Sequence, residues 1–441
     1  MKINIFDRYN DDTKKLIKSL TTAGIERKNL FVHYDGDLPL DGISPFTFFT
    51  GYQRESKTQE GLFFNQVVVP AFYDIRHIDG GSANIEYLKR SVGKIFYRKK
   101  GYRLVDHVDW FSEENSNTVV KRDRYNSAGQ HYASSYFSGN VSYKNEYYDT
   151  LGKTIIVEDS IHHSIQLFYK SSIHHFENMT QFFLYFLKTA QINASDIYIN
   201  SLSFPLFISR SLNIGNKTTL FWQEAMGTDV PGNMRAELEK PTTLKRIVFM
   251  EEKQLDQVKK QFPTTLLKLN YLSHIGEFSR SNHYRQNALI LTNSDNIHGL
   301  KDILMNFPEL KITIAAFTNM STKLLHMEEE FNNITLIPSI NEKTLRIEME
   351  KADIYLDINR GLKVGDILEK AYQQNMMIFS YREVAQKGAE GLVFDDTRDL
   401  CNHLSYLLTN RTNWHKLLTK MIEKNGRKST VQEYQTTLEI S

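Results

Sequence analysis

Trp222, Gln223 and Glu224 stand side by side where the apolar run 219–222 ends, ahead of a loop carrying Gly227, Pro231 and Gly232 and a helical stretch from Met234. An indole offers a large stacking face, and the amide and carboxylate beside it offer hydrogen bonds to backbone or hydroxyl groups. This is chemistry for holding a ligand. The same pattern equally describes a core tryptophan followed by a glycine-assisted turn. Asp357 ends the strand-like run 354–357, at the end of a strand where open α/β sheets bind ligands, and it also suits the cap of the next turn. Arg360 and Lys363 follow as nearby cations, and Glu369 lies on a helical stretch where a lone glutamate ordinarily faces solvent.

Other constellations carry less. His162-His163 and His174-His175 resemble metal pairs, but neighbours on a strand point to opposite faces and make no bidentate site. Cys401 is the single cysteine, which excludes an intramolecular disulfide framework and a cysteine zinc cluster and fits a reducing compartment. There is no G-x-S-x-G, H-E-x-x-H or phosphate-cradling glycine loop. No metal and no cofactor is expected. The 54 basic and 52 acidic residues leave a net charge of +2, and their interspersion gives no reason to expect nucleic acid. The basic residues Arg98-Lys99-Lys100, Lys121-Arg122 and Arg124 fit an acidic partner, lipid headgroups or simply a soluble sheet edge.

A chain of 441 residues is expected to form two or three domains. Residues 1–70 read as strand, helix, strand, and helix alternates with strand again over 176–275, so these stretches are expected to be halves of one Rossmann-like domain. Between them, 71–175 holds successive β-type runs with polar turns and no helix, the pattern of an antiparallel meander. Its aromatics include Tyr136, Phe137 and Tyr143. They suit a protein-docking face, or equally the cross-strand pairs of a thin sheet. Over 276–396, apolar runs at 288–292, 312–316, 334–337, 354–357 and 376–380 alternate with helical stretches near 297–306, 321–330, 341–351 and 364–374. That is the pattern of a second Rossmann-like domain, and a helical tail is expected over 397–441. The fold class is α/β: a GT-B-type pair of Rossmann-like domains with a β-meander inserted in the first.

The segment 288–380 resembles the nucleotide-sugar-binding half of retaining glycosyltransferases. Their second domain carries Gly-Arg-x4-Lys-Gly and later Glu-x7-Glu, because the two cations neutralise a departing diphosphate while the acids orient sugar and ribose. The first pattern aligns here with Thr292-Asn293-x4-His298-Gly299 and the second with Gly361-x7-Glu369. Asn293 and His298 replace both cations, Gly361 replaces one acid, and Glu369 remains. Two lost charge-assisted contacts forfeit roughly 1.5–3 kcal/mol each, so this degenerate donor site implies no catalytic residues.

The whole chain is similar to accessory Sec-system glycosylation proteins of the GtfB type, from Ile3-Asn4-Ile5-Phe6-Asp7 through the segment 221–234. The resemblance implies a non-catalytic subunit that stabilises a GtfA-type catalytic glycosyltransferase subunit and binds the acceptor. Their complex would transfer N-acetylglucosamine from UDP-N-acetylglucosamine to Ser/Thr of serine-rich-repeat adhesins before export. On that reading Trp222, Gln223, Glu224, Asp357 and Arg360 contact acceptor, with Trp222 stacking on an attached sugar, and the meander docks the partner. The rivals are a self-sufficient retaining glycosyltransferase, rescued by cations such as Arg360 and Lys363, and a pure chaperone of the catalytic subunit. The start of the chain lacks the apolar region of a secretory leader, so a cytoplasmic location is expected, with peripheral membrane contact left open.

Overall fold

The computed structural model describes residues 1–52, 61–98, 103–115, 118–276, 278–360, 366–385, 391–424 and 428–439. Lys99, Lys100, Gly361 and Lys363 lie outside the described residues. The chain divides into one compact unit of Met1–His274 with Val431–Ser441 and a second of Ile275–Thr430.

The first unit opens with β1 (Lys2–Phe6), α1 (Asp11–Thr22), β2 (Lys28–Phe31) and α2 (Pro45–Thr50). Asn10 caps α1 by accepting from the Thr13 backbone N–H, and Asp11 and Asp12 lie in its first turn, where negative charge complements the helix dipole. The meander follows as β3 (Asp74–Asp79), β4 (Ser82–Tyr87), β5 (Arg90–Tyr97), β6 (Val105–Phe111), β7 (Val119–Tyr125), β8 (His131–Ser138), β9 (Val141–Tyr148), β10 (Thr154–Asp159), β11 (Ser164–Tyr169) and β12 (Ser172–Phe176). All ten strands pair in sequence order as one antiparallel sheet. The β-type runs of the sequence do not single out β3, β4 or β12; β3 and β12 are edge strands with mostly exposed residues and so lack an apolar alternation to read.

After the meander come α3 (Met179–Thr189), β13 (Asp196–Ile199), α4 (Phe204–Leu212), β14 (Thr218–Trp222), α5 (Gly232–Glu239), β15 (Leu244–Phe249), α6 (Glu252–Gln261) and β16 (Lys268–Tyr271). These strands join β1 and β2 in one parallel sheet of order β16-β15-β14-β13-β1-β2, so the strands on either side of the meander share a single core.

The second unit contains β17 (Asn287–Leu291), α7 (Leu300–Asn306), β18 (Lys311–Ala315), α8 (Thr322–Glu330), β19 (Ile334–Ile337), α9 (Glu342–Lys351), β20 (Ile354–Asp357), α10 (Ile367–Gln373), β21 (Met377–Tyr381) and β22 (Leu392–Phe394). Its parallel sheet runs β19-β18-β17-β20-β21-β22, the order of a dinucleotide-binding Rossmann sheet. The helices α11 (Thr397–Thr409), α12 (Arg411–Lys424) and α13 (Val431–Thr437) end the chain. The expected tail is not one body. Leu400, Leu404, Leu407, Trp414 and Met421 belong to the core of the second unit, whereas α13 belongs to the first. Among the described residues no helix is long and apolar enough to cross a membrane.

Asp353 anchors the entry to the second unit. Its carboxylate, fully buried, accepts from Arg280 Nη1 at 2.5 Å, Arg285 Nε at 3.0 Å and the backbone N–H groups of His283 and Arg285 at 3.1 and 2.8 Å. Burial pushes its pKa up, but Arg285 and Arg280 outweigh this and hold it below the ordinary value of 3.8. Its stabilising contribution is therefore complete above that value and is lost as the pH falls toward the lowered one. Asp353→Ala strands two guanidinium groups and is expected to cost about 3 kcal/mol, read as a lower urea midpoint at pH 7. An unchanged midpoint would show that the anchor contributes nothing.

Candidate functional site

In an open α/β sheet, ligands bind beyond the carboxyl ends of the strands where strand order reverses. In the second unit that point lies between β17 and β20, and the structure brings the donor-pattern residues to it. Asn359, just past β20, donates from Nδ2 to Asn293 Oδ1 at 3.2 Å and accepts from Ser294 Oγ at 3.0 Å. The loop is further closed by the His298 backbone N–H, which donates to Ile358 O at 3.0 Å, and the Arg360 N–H, which donates to Asn296 O at 3.0 Å. Neutral amides thus occupy the switch point. The nearest cation of the sequence reading, Arg360, donates from Nε to Glu383 Oε1 at 2.5 Å in an exposed ion pair.

The helix expected from 297 begins only at Leu300, because Ile297 bridges to Asn359 and Gly299 takes φ +69°. His298 meets the Tyr381 ring edge-on at 4.9 Å. A Cβ on Gly299 would lie 2.6 Å from Thr397 and 2.7 Å from the Tyr381 hydroxyl. The glycine of the donor pattern therefore persists for packing. Asp357 sits at the carboxyl end of β20 opposite Ser380. Glu369, in the first turn of α10, is half-buried and accepts from Gln373 Nε2 at 3.4 Å. Gly361 lies outside the described residues.

In the first unit the reversal falls between β1 and β13. Gln223 and Glu224 extend from β14 at this edge: Gln223 Nε2 donates to Asp12 O at 2.9 Å, and Ser201 Oγ donates to Glu224 Oε1 at 3.2 Å. Trp222 is a correction. It is 2% exposed and packs with Val230 and Met234 in the core, so no ring face is left for a sugar. Period-2 alternation would have marked this, but every residue of β14 is buried, as in strands covered on both faces.

The same edge holds residues the sequence reading passed over. Arg8 Nη1 donates to both Asp35 oxygens at 2.8 Å, the Asp7 backbone N–H donates to Asn200 Oδ1 at 3.0 Å, and His33 Nε2 lies 3.8 Å from Asp7. Burial, assisted by Arg8, pushes His33 down to about 4, so the imidazole is neutral at pH 7. Burial lifts the Asp7 carboxyl, with Asp35 and Glu224 adding to the rise against the pull of Arg8. The Asp7-Arg8 pair directly after the first strand was the available signal. Such a mixture of acceptors, amides and one guanidinium suits peptide and hydroxyl groups.

On the meander, Tyr143 is 39% exposed. Tyr136 and Phe137 are half-buried. The Tyr136 hydroxyl donates to Glu146 at 2.9 Å, and its ring lies 4.2 Å from the Lys144 ammonium and 6.0 Å from that of Lys121. Arg122 lies 5.7 Å from the Phe137 ring and grips Asp109 at 2.6 and 2.8 Å. These basic residues are therefore engaged within the sheet. Of the histidines, His162 Nδ1 is 2.8 Å from Asp159 and His174 Nε2 is 3.3 Å from the Tyr185 hydroxyl.

Two Rossmann-type parallel sheets in one chain define the class, a GT-B glycosyltransferase fold. Family models match consecutively: the GtfB N-terminal domain over residues 3–49, the GtfB middle domain over 73–177, the GtfB third domain over 179–260 and the GftB/GlyA-F C-terminal domain over 288–421. The UDP-N-acetylglucosamine–peptide N-acetylglucosaminyltransferase stabilizing protein GtfB of Streptococcus agalactiae is 32% identical over 99% of this chain and 98% of its own length. Its namesake from Streptococcus gordonii is 30% identical over the same shares. A crystal structure of a GtfA/B complex bound to UDP and GlcNAc superposes with a TM-score of 0.86 at 30% identity, covering 100% of this chain and 99% of the other. The chain belongs to the GtfB family of stabilizing proteins. A similar fold occurs in a chain of the crystal structure of accessory secretory protein 1, 2 and 3 in Streptococcus pneumoniae, with a TM-score of 0.61 at 12% identity.

Gly299→Ala tests the packing account. A side chain forced into left-handed backbone against Thr397 and Tyr381 should cost about 2 kcal/mol, visible as a lowered urea midpoint. A variant as stable as the parent would mean that the loop relaxes freely.

Proposed function

We propose that this chain is the non-catalytic, stabilising and acceptor-binding subunit of a complex that transfers N-acetylglucosamine from UDP-N-acetylglucosamine to Ser/Thr of a polypeptide. The observation that carries this reading is the Asn293–Asn359 amide pair at the switch point of the second unit. A departing diphosphate needs cations there, and the described cation beside the amides, Arg360, is ion-paired with Glu383. Family membership supplies the partner class, a GtfA-type catalytic subunit. The acceptor reading rests on the carboxyl edge of the first unit, where Gln223 and Glu224 stand beside Asp7, Arg8 and Asn200. Acceptors of the serine-rich-repeat adhesin type, destined for accessory Sec export, fit a site made of amides and carboxylates that hydrogen-bond hydroxyl side chains. The complex acts in the cytoplasm on this reading, and any membrane contact is peripheral.

Two lost charge-assisted contacts of roughly 1.5–3 kcal/mol each weaken donor binding by about two to four orders of magnitude. Isothermal titration of the isolated chain with UDP-N-acetylglucosamine should give no heat at micromolar donor, and incubation should release no UDP. Tight binding with hydrolysis would instead identify a self-sufficient glycosyltransferase.

The docking role of the meander is tested separately. Tyr143→Glu places a charge on an exposed aromatic and should abolish co-purification with the co-expressed catalytic subunit while the chain itself stays folded by circular dichroism. Tyr136→Ala should weaken the complex as well, since it also removes the ring between Lys144 and Lys121. Complexes that survive both changes would move the docking surface elsewhere.

A further inference from the structure

The hairpin of β3 and β4 ends in an exposed apolar tip. Val68 and Phe72 are each 89% exposed and Leu88 is 82% exposed, and the Asp74–Glu86 pairing with the Tyr73–Tyr87 ring contact at 5.2 Å brings Phe72 and Leu88 to the same end of the hairpin. Burying such side chains is ordinarily favourable, so their presentation to solvent needs a reason. The backbone sharpens the point. Phe72, Leu88 and Lys89 take φ of +69°, +48° and +66°, the left-handed region in which bulky side chains are outliers. Leu88 and Lys89 form the two-residue turn between β4 and β5, a place where Asn-Gly is favoured. The Lys170–Ser171 turn between β11 and β12 takes the same conformation, with φ of +48° and +62°, and carries no apolar residue. The backbone therefore does not call for a leucine, and a tip held in this conformation is preorganised for contact.

The tip shares one end of the sheet with Tyr143. A single register line runs from Ile75 in β3 through Trp110 and Tyr136 to Lys144 in β9. Alternate strands are antiparallel, so Phe72 before the line on β3, Leu88 after it on β4, and Val141 and Tyr143 before it on β9 all lie at the same end. Six strand spacings of about 4.8 Å separate β3 from β9, which puts the tip about 30 Å from Tyr143, a distance that one large protein interface spans. Charge around the tip has both signs. Arg90 Nη2 donates to the carbonyls of Ser112, at 3.2 Å, and Glu113, which holds the exposed Glu113 and Glu114 beside the exposed Lys89 and Arg90, and Asp74 is exposed as well. Anionic lipid headgroups select basic residues alone, whereas an apolar centre ringed by both signs is the anatomy of a protein contact. We propose that Val68, Phe72, Tyr87 and Leu88 anchor this chain in an apolar pocket of the catalytic subunit. The proposal rests on the reading of the chain as a subunit of a complex, and it extends the docking surface from Tyr143 to the β3–β4 tip.

The double variant Phe72→Asn, Leu88→Asn tests this, because asparagine tolerates left-handed backbone and removes only the apolar anchors. The urea midpoint of the full chain should hold level or rise. Its release from the co-expressed complex, followed by displacement with labelled parent chain, should quicken at least about thirtyfold, the loss expected of one interface hot spot. A lowered midpoint would make the tip a packing element and overturn the proposal, as would an unchanged rate of release. If Tyr143→Glu frees the catalytic subunit while the double variant does not, the meander docks its partner without the tip. If the double variant releases it and Tyr143→Glu does not, the tip proposal stands and the Tyr143 reading falls. Two further measurements on the chain alone decide against other occupants. Flotation with phosphatidylglycerol vesicles that the double variant abolishes, or a dimer in sedimentation that it dissociates, would assign the tip to lipid or to a second copy and overturn the proposal.

Discussion

The ten-stranded sheet depends on an aromatic seam. Phe46 of α2 meets Tyr147 of β9 at 4.4 Å and Phe182 of α3 at 5.7 Å, and Phe182 meets Phe49 at 5.7 Å and Phe176 of β12 at 5.3 Å. Ile156, Ile165 and Leu167 of the last strands are buried in the same core. Aromatic pairs add about 0.5–1.5 kcal/mol each beyond their burial, so the seam fixes one end of the meander firmly to the Rossmann sheet. The first strands gather a smaller core of their own around Ala83, Ile85, Ile95 and Val108. Between them the sheet is held by polar pairs such as Arg122–Asp109 and Trp110–Asp123. A long surface rich in tyrosine and charge can be presented only because its last strands are so firmly set.

The two Rossmann sheets obey the same topological rule with opposite chemistry. Both reverse strand order once, and in both the residues past the reversing strands are polar. In the second unit these are the amides Asn293 and Asn359, with Arg360 paired to Glu383. In the first they include Asp7, Arg8 and Asp35, with burial keeping His33 neutral. Holding a diphosphate requires concentrated positive charge, whereas holding a peptide requires dispersed hydrogen bonds. Among the described residues, the switch point of the second unit presents amides and one ion-paired arginine, and that of the first presents dispersed donors and acceptors.

Much of this was legible in the residues. The alternation of buried runs with helical stretches marked both parallel sheets, and the turns of 71–175 marked the antiparallel one. Helix starts were less legible. Leu300 rather than Ile297 begins α7 because a left-handed glycine and a bridge to Asn359 intervene, and bridges between distant residues leave no local periodicity. Trp222 shows the limit most plainly: type and position suited a stacking platform, but a strand buried along its whole length gives no alternation to reveal which way a side chain faces.

The amino-acid sequence by itself determined the fold class, the interruption of the first Rossmann sheet and the loss of two cations from the donor pattern, since these rest on periodicity and residue type within short windows. Only the tertiary structure decided that Arg360 pairs with Glu383, that Trp222 is core and that α13 returns to the first unit. Each of those depends on which distant residue lies within a few ångströms. Hydrogen bonds and burial act over that range in space, without regard to separation along the chain.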